Sequence, residues 1–329
     1  MNYRQFKGQN ISEIGLGTWQ LGSADWGVVN EEEAFSILKT YTDAGGNFID
    51  TADVYGMGIS DSLIGRFLKT IDQEVFVATK LGRRQDSPNG WPQNFSYDFM
   101  RQHIESSLEK LGSSSLFLEQ LHCIPTEEMR SGKVFDHFRR FKEEGLIQYW
   151  GASVETAEEA LICLEQEGLA SLQIIFNLFR QHIAKEVFTK AREKNVAIIV
   201  RVPLASGLLT GKFNEQTTFA GTDHRNYNAN GESFNAGETF SGIEFAKGVD
   251  LARQIGSLLP DDRMAQAQWS LRWILDHPEV TTVIPGASKI AQVIGNVNAS
   301  ALPALTQETH QQLRALYDDQ IKGIIRGHY

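Results

Sequence analysis

Asp50, Tyr55, Lys80 and His122 are the side chains of this sequence whose types together could deliver a proton to an oxygen. A phenol has a reference pKa of about 10 and is a poor acid at neutral pH unless tuned. A neighbouring ammonium stabilises phenolate and lowers that value, so Lys80 is the expected tuning group for Tyr55. Asp50 would keep Lys80 charged and oriented, and His122 would hydrogen-bond a carbonyl oxygen and aim it at Tyr55. The set amounts to a general acid with a polarising partner, suited to protonating a carbonyl oxygen as hydride reaches the carbon. Each residue alone has a plainer reading: a turn or cap for Asp50, a solvated strand end for Lys80, a core histidine for His122.

What must position them is a set of short apolar runs. Candidate strands are Glu13–Gly17, Asn47–Asp50, Val75–Lys80, Leu116–His122, Ile147–Gly151, Leu172–Phe176, Val196–Arg201 and Thr281–Pro285. Amphipathic stretches lie between them. Asn30 with Glu33 reads as a capping box, closed by Gly45, and Ser96 caps a helix carrying Ile104, Leu108 and Leu111 up to Gly112. Eight strand–helix alternations predict an α/β protein built as a single (β/α)8 barrel over 1–329, and barrel enzymes place reactive groups at the C-terminal strand ends. Asp50, Lys80 and His122 each end a candidate strand, and Tyr55 follows Asp50 in a glycine-bounded loop. Tyr3 and Phe6 around Lys7-Gly8-Gln9-Asn10 predict a hairpin over the barrel bottom. The connection after the seventh strand is long, and its segment 214–240 is expected to be an ordered or ligand-ordered loop. A doubly wound sheet is the weaker reading, because Gly15-Leu-Gly17-Thr-Trp-Gln-Leu-Gly22 has the wrong spacing for a dinucleotide fingerprint.

The 329 residues carry a net charge of −10, which disfavours nucleic acid as a partner. No apolar run is long enough for a membrane span, and no signal-peptide pattern is visible, so a cytoplasmic protein is expected. Cys123 and Cys163 form neither a disulfide framework nor a metal knuckle, and no metal site is expected.

The chain resembles the aldo-keto reductase family, in the style of its bacterial branches that also resemble potassium-channel β subunits. The resemblance is carried by Gly15-Leu-Gly17-Thr18-Trp19, Asn47–Gly56, Thr79-Lys80, Gln120-Leu-His122, Gly151-Ala-Ser153, Pro203–Lys212 and Ile284-Pro285-Gly286-Ala287-Ser288. It implies a (β/α)8 barrel, a catalytic tetrad matching Asp50, Tyr55, Lys80 and His122, and nicotinamide-dependent interconversion of carbonyls and alcohols. The motifs also point to Thr18, Trp19, Pro203, Leu204, Leu208, Lys212, Ile284 and Ala287 as cofactor contacts, and Ser153 and Gln173 match positions that bind the carboxamide. Two departures stand out. Val154 replaces a usual asparagine, and Arg201 replaces a frequent aromatic, though a guanidinium plane can also stack. From the residues, Gly207 and Gly211 would let backbone N–H groups approach a pyrophosphate, with Ser206 as a hydroxyl donor and Gly286 in the companion loop. Gly207-Leu-Leu-Thr-Gly211-Lys212-Phe213 is not a Walker A loop, being one residue short and lacking its Ser/Thr. Lys289, Gln292 and Asn296 can share one helix face at the adenosine end. Asn296 matches an adenine-binding position, and Lys289 is the candidate for a 2′-phosphate, favouring NADP(H) over NAD.

Trp19, Trp26 and Trp91 are candidate walls for small carbonyl or sugar-like substrates, and Ile324–Tyr329 is a candidate cover. Two other classes compete with a reductase. A regulatory subunit would bind cofactor with little turnover. A Schiff-base enzyme would use Lys80 as nucleophile, but a charged carboxylate beside it would keep Lys80 protonated. An oligomer is possible without being indicated.

Overall fold

A computed structural model describes residues 1–22, 30–84, 95–260 and 264–327. The chain opens with an antiparallel hairpin, β1 (Tyr3–Phe6) and β2 (Gln9–Ser12), turning at Lys7 and Gly8 with φ of 47° and 91°. Eight parallel strands follow in chain order: β3 (Leu16–Gly17), β4 (Phe48–Asp50), β5 (Phe76–Leu81), β6 (Leu116–His122), β7 (Ile147–Ser153), β8 (Leu169–Ile175), β9 (Ala197–Arg201) and β10 (Val280–Val283). Parallel bridges Ile14–Val283 and Gly17–Gly286 join the two ends, so the expected barrel closes. Its sheet has no open edge to protect.

The helices obey the local signals. Asn30 and Glu33 make a reciprocal capping box on the helix Glu31–Asp43. Ser96 caps Tyr97–Leu111, and Gly112 ends it in the left-handed conformation. The segment 214–240 is ordered into short turns, including His224–Tyr227 and Ala236–Glu238, before the helix Phe245–Leu258. No described helix is long and apolar enough to cross a membrane.

Strand periodicity links the fold to the site. Side chains alternate between the inside of the barrel and the helix layer. The inner cluster holds Phe48, Phe76, Ala78, Phe117, Leu118, Ala170, Ala197 and Ile199, plugged from below by Phe6 and Ile11 of the hairpin. Phe6 lies 5.3 Å from the Phe117 ring and 5.5 Å from Tyr149. Burying such a side chain is worth roughly 1.5–3 kcal/mol. Tyr3, expected to share this role, is 48% exposed and bonds instead to the Gly45 carbonyl. Further along the strands, the mouth holds Asp50, Lys80, Gln120, His122, Ser153, Gln173 and Arg201, all buried. The apolar floor and the polar mouth are successive turns of one alternation.

Candidate active site

Lys80 organises the mouth. Its Nζ donates to Asp50 Oδ1 at 2.5 Å, to the Thr51 carbonyl at 2.7 Å and to Tyr55 Oη at 3.3 Å. Asp50 is held from its other oxygen by Gln173 Nε2 at 2.7 Å. The His122 ring stands edge-on to Tyr55, with centroids 5.8 Å apart, and its Nδ1 is buried without a hydrogen-bond partner among the described residues. The four residues expected from the sequence are therefore assembled.

Tyr55 owes its place to two glycines. It starts a tight turn, Tyr55–Gly58, in which Gly56 has φ +59°. A Cβ on Gly56 would fall 1.7 Å from the Gly22 carbonyl oxygen, and one on Gly22 would fall 2.7 Å from the Tyr55 carbonyl oxygen. The two backbones touch because neither residue has a side chain. Trp19 then covers the phenol with its ring 6.1 Å away and nearly parallel, backed by His224 at 5.0 Å and Phe234 at 6.1 Å.

The electrostatics correct one expectation. Burial raises the Tyr55 phenol above its usual value, and Lys80 opposes this without reversing it. Tyr55 thus rests as a neutral phenol, a proton donor whose conjugate base Lys80 would stabilise. Burial pulls the Lys80 ammonium down, but Asp50 and Tyr55 carry it above its usual value, so it stays charged. That geometry speaks against a free-amine nucleophile. Burial, with the positive charges of Arg83, Lys80 and Arg201, holds His122 well below the usual imidazole value and hence neutral.

The expected cofactor residues divide into several groups. Ser153 and Gln173 are register partners at the ends of β7 and β8, buried at the mouth, and their hydroxyl and amide are the donor and acceptor types a carboxamide needs. Thr18 gives its hydroxyl to the Asp50 carbonyl at 2.8 Å and so braces the tetrad. Trp19 lies on Tyr55. Ser206 differs from expectation: its hydroxyl donates to the Glu238 carbonyl at 3.1 Å and accepts from Phe240 N at 3.2 Å. It ties the long loop to the loop after β9. Pro203, Leu208, Ile284 and Ala287 are buried, Leu204 is half-buried, and Lys212 is exposed. Gly207 and Gly211 have φ of 101° and 69°, and added Cβ atoms would meet Phe213 and Gln266, so turn geometry and packing alone demand glycine there. Gly286 lies against the Gln20 side-chain amide, a flexible end that can yield. Lys289 is the exposed cap residue just before the helix Ile290–Asn298, rather than a member of its face. Gln292 Oε1 accepts from Ser288 N at 2.8 Å and Lys289 N at 3.1 Å, and Asn296 Nδ2 reaches the Gly286 carbonyl at 3.4 Å.

Arg201, whose guanidinium plane could stack, is held at its edge. Its Nη1 pairs with Glu238 Oε2 at 2.5 Å, and its Nη2 donates to the Val154 carbonyl at 3.1 Å. Arg83, Glu155, Glu238 and Asn235 form the rest of this ionic group and were not singled out from sequence. The available signal was Glu238 as the single charge between Glu232 and Glu244, in a segment with Phe234, Gly237, Phe240 and Gly242. Cys123, Glu155 and Glu238 bring ligand-type atoms within 4.8 Å of one another, but the guanidinium groups of Arg83 and Arg201 already neutralise the two carboxylates. Trp26 and Trp91 lie outside the described residues. Of the expected cover Ile324–Tyr329, Arg326 donates to the carbonyls of Gly242 and Ala229 in the long loop, and residues 328–329 lie outside the described residues.

These groups line the C-terminal mouth of a closed parallel barrel, and comparison with known proteins gives the family. Residues 13–318 match the model of the Aldo/keto reductase family, and the chain belongs to that family. It is 28% identical to the uncharacterized oxidoreductase YqkF of Bacillus subtilis over 97% of this chain and 96% of that protein. It is 26% identical to the aldo-keto reductase yakc [NADP(+)] of Schizosaccharomyces pombe, over 96% of this chain and 91% of that one. The solved glycerol dehydrogenase AKR11B4 from Gluconobacter oxydans superposes with a TM-score of 0.82 at 27% identity, covering 100% of this chain and 98% of that chain.

Proposed function

We propose that this protein is an NADP(H)-dependent oxidoreductase that interconverts small carbonyl compounds and alcohols, with Tyr55 as general acid and base. The observation that carries the reading is Lys80 Nζ, which touches both Asp50 and Tyr55 Oη beside a neutral His122. A reduced nicotinamide, when bound, supplies the hydride. The residues of the chain supply the rest. His122 donates a hydrogen bond to the carbonyl oxygen and orients it. Tyr55 Oη delivers its proton to that oxygen as the negative charge develops. Lys80 stabilises the phenolate left behind, and Asp50 keeps Lys80 charged and in place. Ser153 and Gln173 suit the carboxamide, and Trp19 shields the phenol from water. Support for NADP(H) over NAD comes from exposed Lys289 at a helix start, where a phosphate is favoured, and from the cofactor named for yakc.

The test is NADPH oxidation across a panel of aldehydes, ketones and sugars, with Tyr55→Phe beside it. Turnover in the wild type that disappears in the variant supports the reading. Tight NADPH binding with no turnover on any substrate points instead to a cofactor-binding regulatory protein. Lys289→Ala should weaken NADPH more than NADH, and equal weakening would remove Lys289 from the 2′-phosphate role.

A further inference from the structure

The barrel mouth holds a second charged group, built from different parts. Arg83 lies two residues past the end of β5, and Arg201 ends β9. Both are largely buried, and both face Glu238 of the long loop, at 3.8 Å and 2.5 Å respectively. Arg83 also pairs with Glu155 at 2.8 Å, whose other oxygen accepts from Asn235 Nδ2 at 3.1 Å. The group adjoins the tetrad: Cys123, the residue after His122, places its Sγ 3.5 Å from Arg201 Nη2.

Arg201 ends β9, and Glu155 and Arg83 each lie two residues past the end of a barrel strand. Glu238 alone arrives on the long loop. Its removal would take away one of the carboxylates that face these two buried guanidinium groups, which favours another anion in its place. Glu238 is the member carried by a loop of short turns. A second carboxylate, Glu155, lies within 4.8 Å of it. Phe240 and Ser241 just after it hold left-handed backbone, with φ of 52° and 57°, which non-glycine residues adopt at a cost. Arg201 Nε and His122 Nδ1 remain buried without hydrogen-bond partners among the described residues.

We propose that Arg83 and Arg201 form a carboxylate-binding site for the substrate, and that Glu238 fills this site until a substrate carboxylate displaces it. The substrate is then a short aldehyde or ketone with a carboxylate a few bonds from its carbonyl. A carboxylate is favoured over a bulkier phosphate because one already fits between the two guanidinium groups, whose planar forks match it. The word substrate rests on the reductase reading; the anion site does not.

Two measurements test this. The first compares kcat/KM for succinic semialdehyde with that for butanal. The ratio should exceed ten in the wild type, fall at least tenfold in Arg83→Gln, fall less in Arg83→Lys, and rise severalfold in Glu238→Gln. A ratio near one that no variant moves overturns the proposal. The second is calorimetric titration with succinate, which requires no turnover. Binding should tighten at least fivefold in Glu238→Gln and be lost in the Glu238→Gln/Arg83→Gln double variant. Identical succinate binding in all forms overturns the proposal, as does an effect of Glu238→Gln on NADPH release alone. If no aldehyde is reduced but succinate binding still follows Glu238 and Arg83, the reductase reading fails and the anion site stands. Should Arg83→Gln not fold, Arg83→Lys and Glu238→Gln carry both measurements.

Discussion

Two buried ion pairs sit on the same barrel mouth at the same 2.5 Å separation, Lys80–Asp50 and Arg201–Glu238. Lys80 and Asp50 belong to adjacent strands, so hydrogen-bond register sets their distance before any side chain is placed. Arg201 is equally strand-borne, but Glu238 reaches it from a loop of short turns. The first pair is surrounded by fixed partners: Thr51, Gln173 and Tyr55 complete it. The second has alternatives within reach, since Glu155 and Arg83 stand beside it. A buried pair with one geometry suits proton transfer, which fails when atoms shift by fractions of an ångström. A buried pair with exchangeable partners suits binding.

The largest expected effect falls on the fixed pair's client. Tyr55→Phe keeps the ring against Trp19 but removes the proton, so kcat for carbonyl reduction should drop by about 10²–10⁴ with the fold intact. Residual turnover within a few-fold of wild type would take Tyr55 out of the proton path. Lys80→Met leaves Asp50 buried and uncompensated and should cost about 3–5 kcal/mol in urea unfolding, whereas Glu238→Gln should cost about 1–2 kcal/mol because Glu155 remains for the arginines. Equal costs would erase the distinction between the two pairs. Gly56→Ala must push against the Gly22 carbonyl and should cost about 1–3 kcal/mol, together with a fall in kcat as Tyr55 shifts. Unchanged kcat would show that the turn does not set the phenol.

Two weaker effects concern protonation. His122 is held neutral, so reduction should show no inflection near the ordinary imidazole value, and alcohol oxidation should keep rising through pH 9 because the Tyr55 phenol lies above its usual range. A break in kcat near pH 6.5 would mean that His122 titrates as a free imidazole does. Glu119, buried on the helix side of β6 and repelled by Asp53 and Asp61, is raised well above the usual carboxylate value. A raised acid opposes folding only above its unfolded pKa. Glu119→Gln should therefore stabilise by on the order of 1 kcal/mol at pH 8, with the gain fading towards pH 4. A gain independent of pH between 4 and 8 would show that ionisation is not the cause.

Much of this was legible in the residue order because it depends on short-range regularities. The capping box at Asn30 and Glu33, the stop at Gly112 and the eight apolar runs are local signals, and local chemistry enforces them. The tetrad was legible because strand ends share one rim in a closed barrel, so Asp50, Lys80 and His122 converge once the strand count is known. Strand bounds shifted where pairing, not hydrophobicity, decides: β7 runs to Ser153 and β8 begins at Leu169 because each pairs with its neighbour there. The direction of the Tyr55 shift was not legible. The sequence places a cation near the phenol, but only the packed mouth shows that burial outweighs it.

Residue order alone determined the alternation that makes inward rows of Phe76, Ala78 and Lys80, or of Leu118, Gln120 and His122, since a strand repeats every two residues whatever surrounds it. Only the tertiary structure decided that Ser206 would serve the long loop, that Gly22 would meet Gly56, and that Glu238 would cross to Arg201. Those contacts join segments whose approach depends on loop path and on the exclusion of water, and no short-range period encodes either.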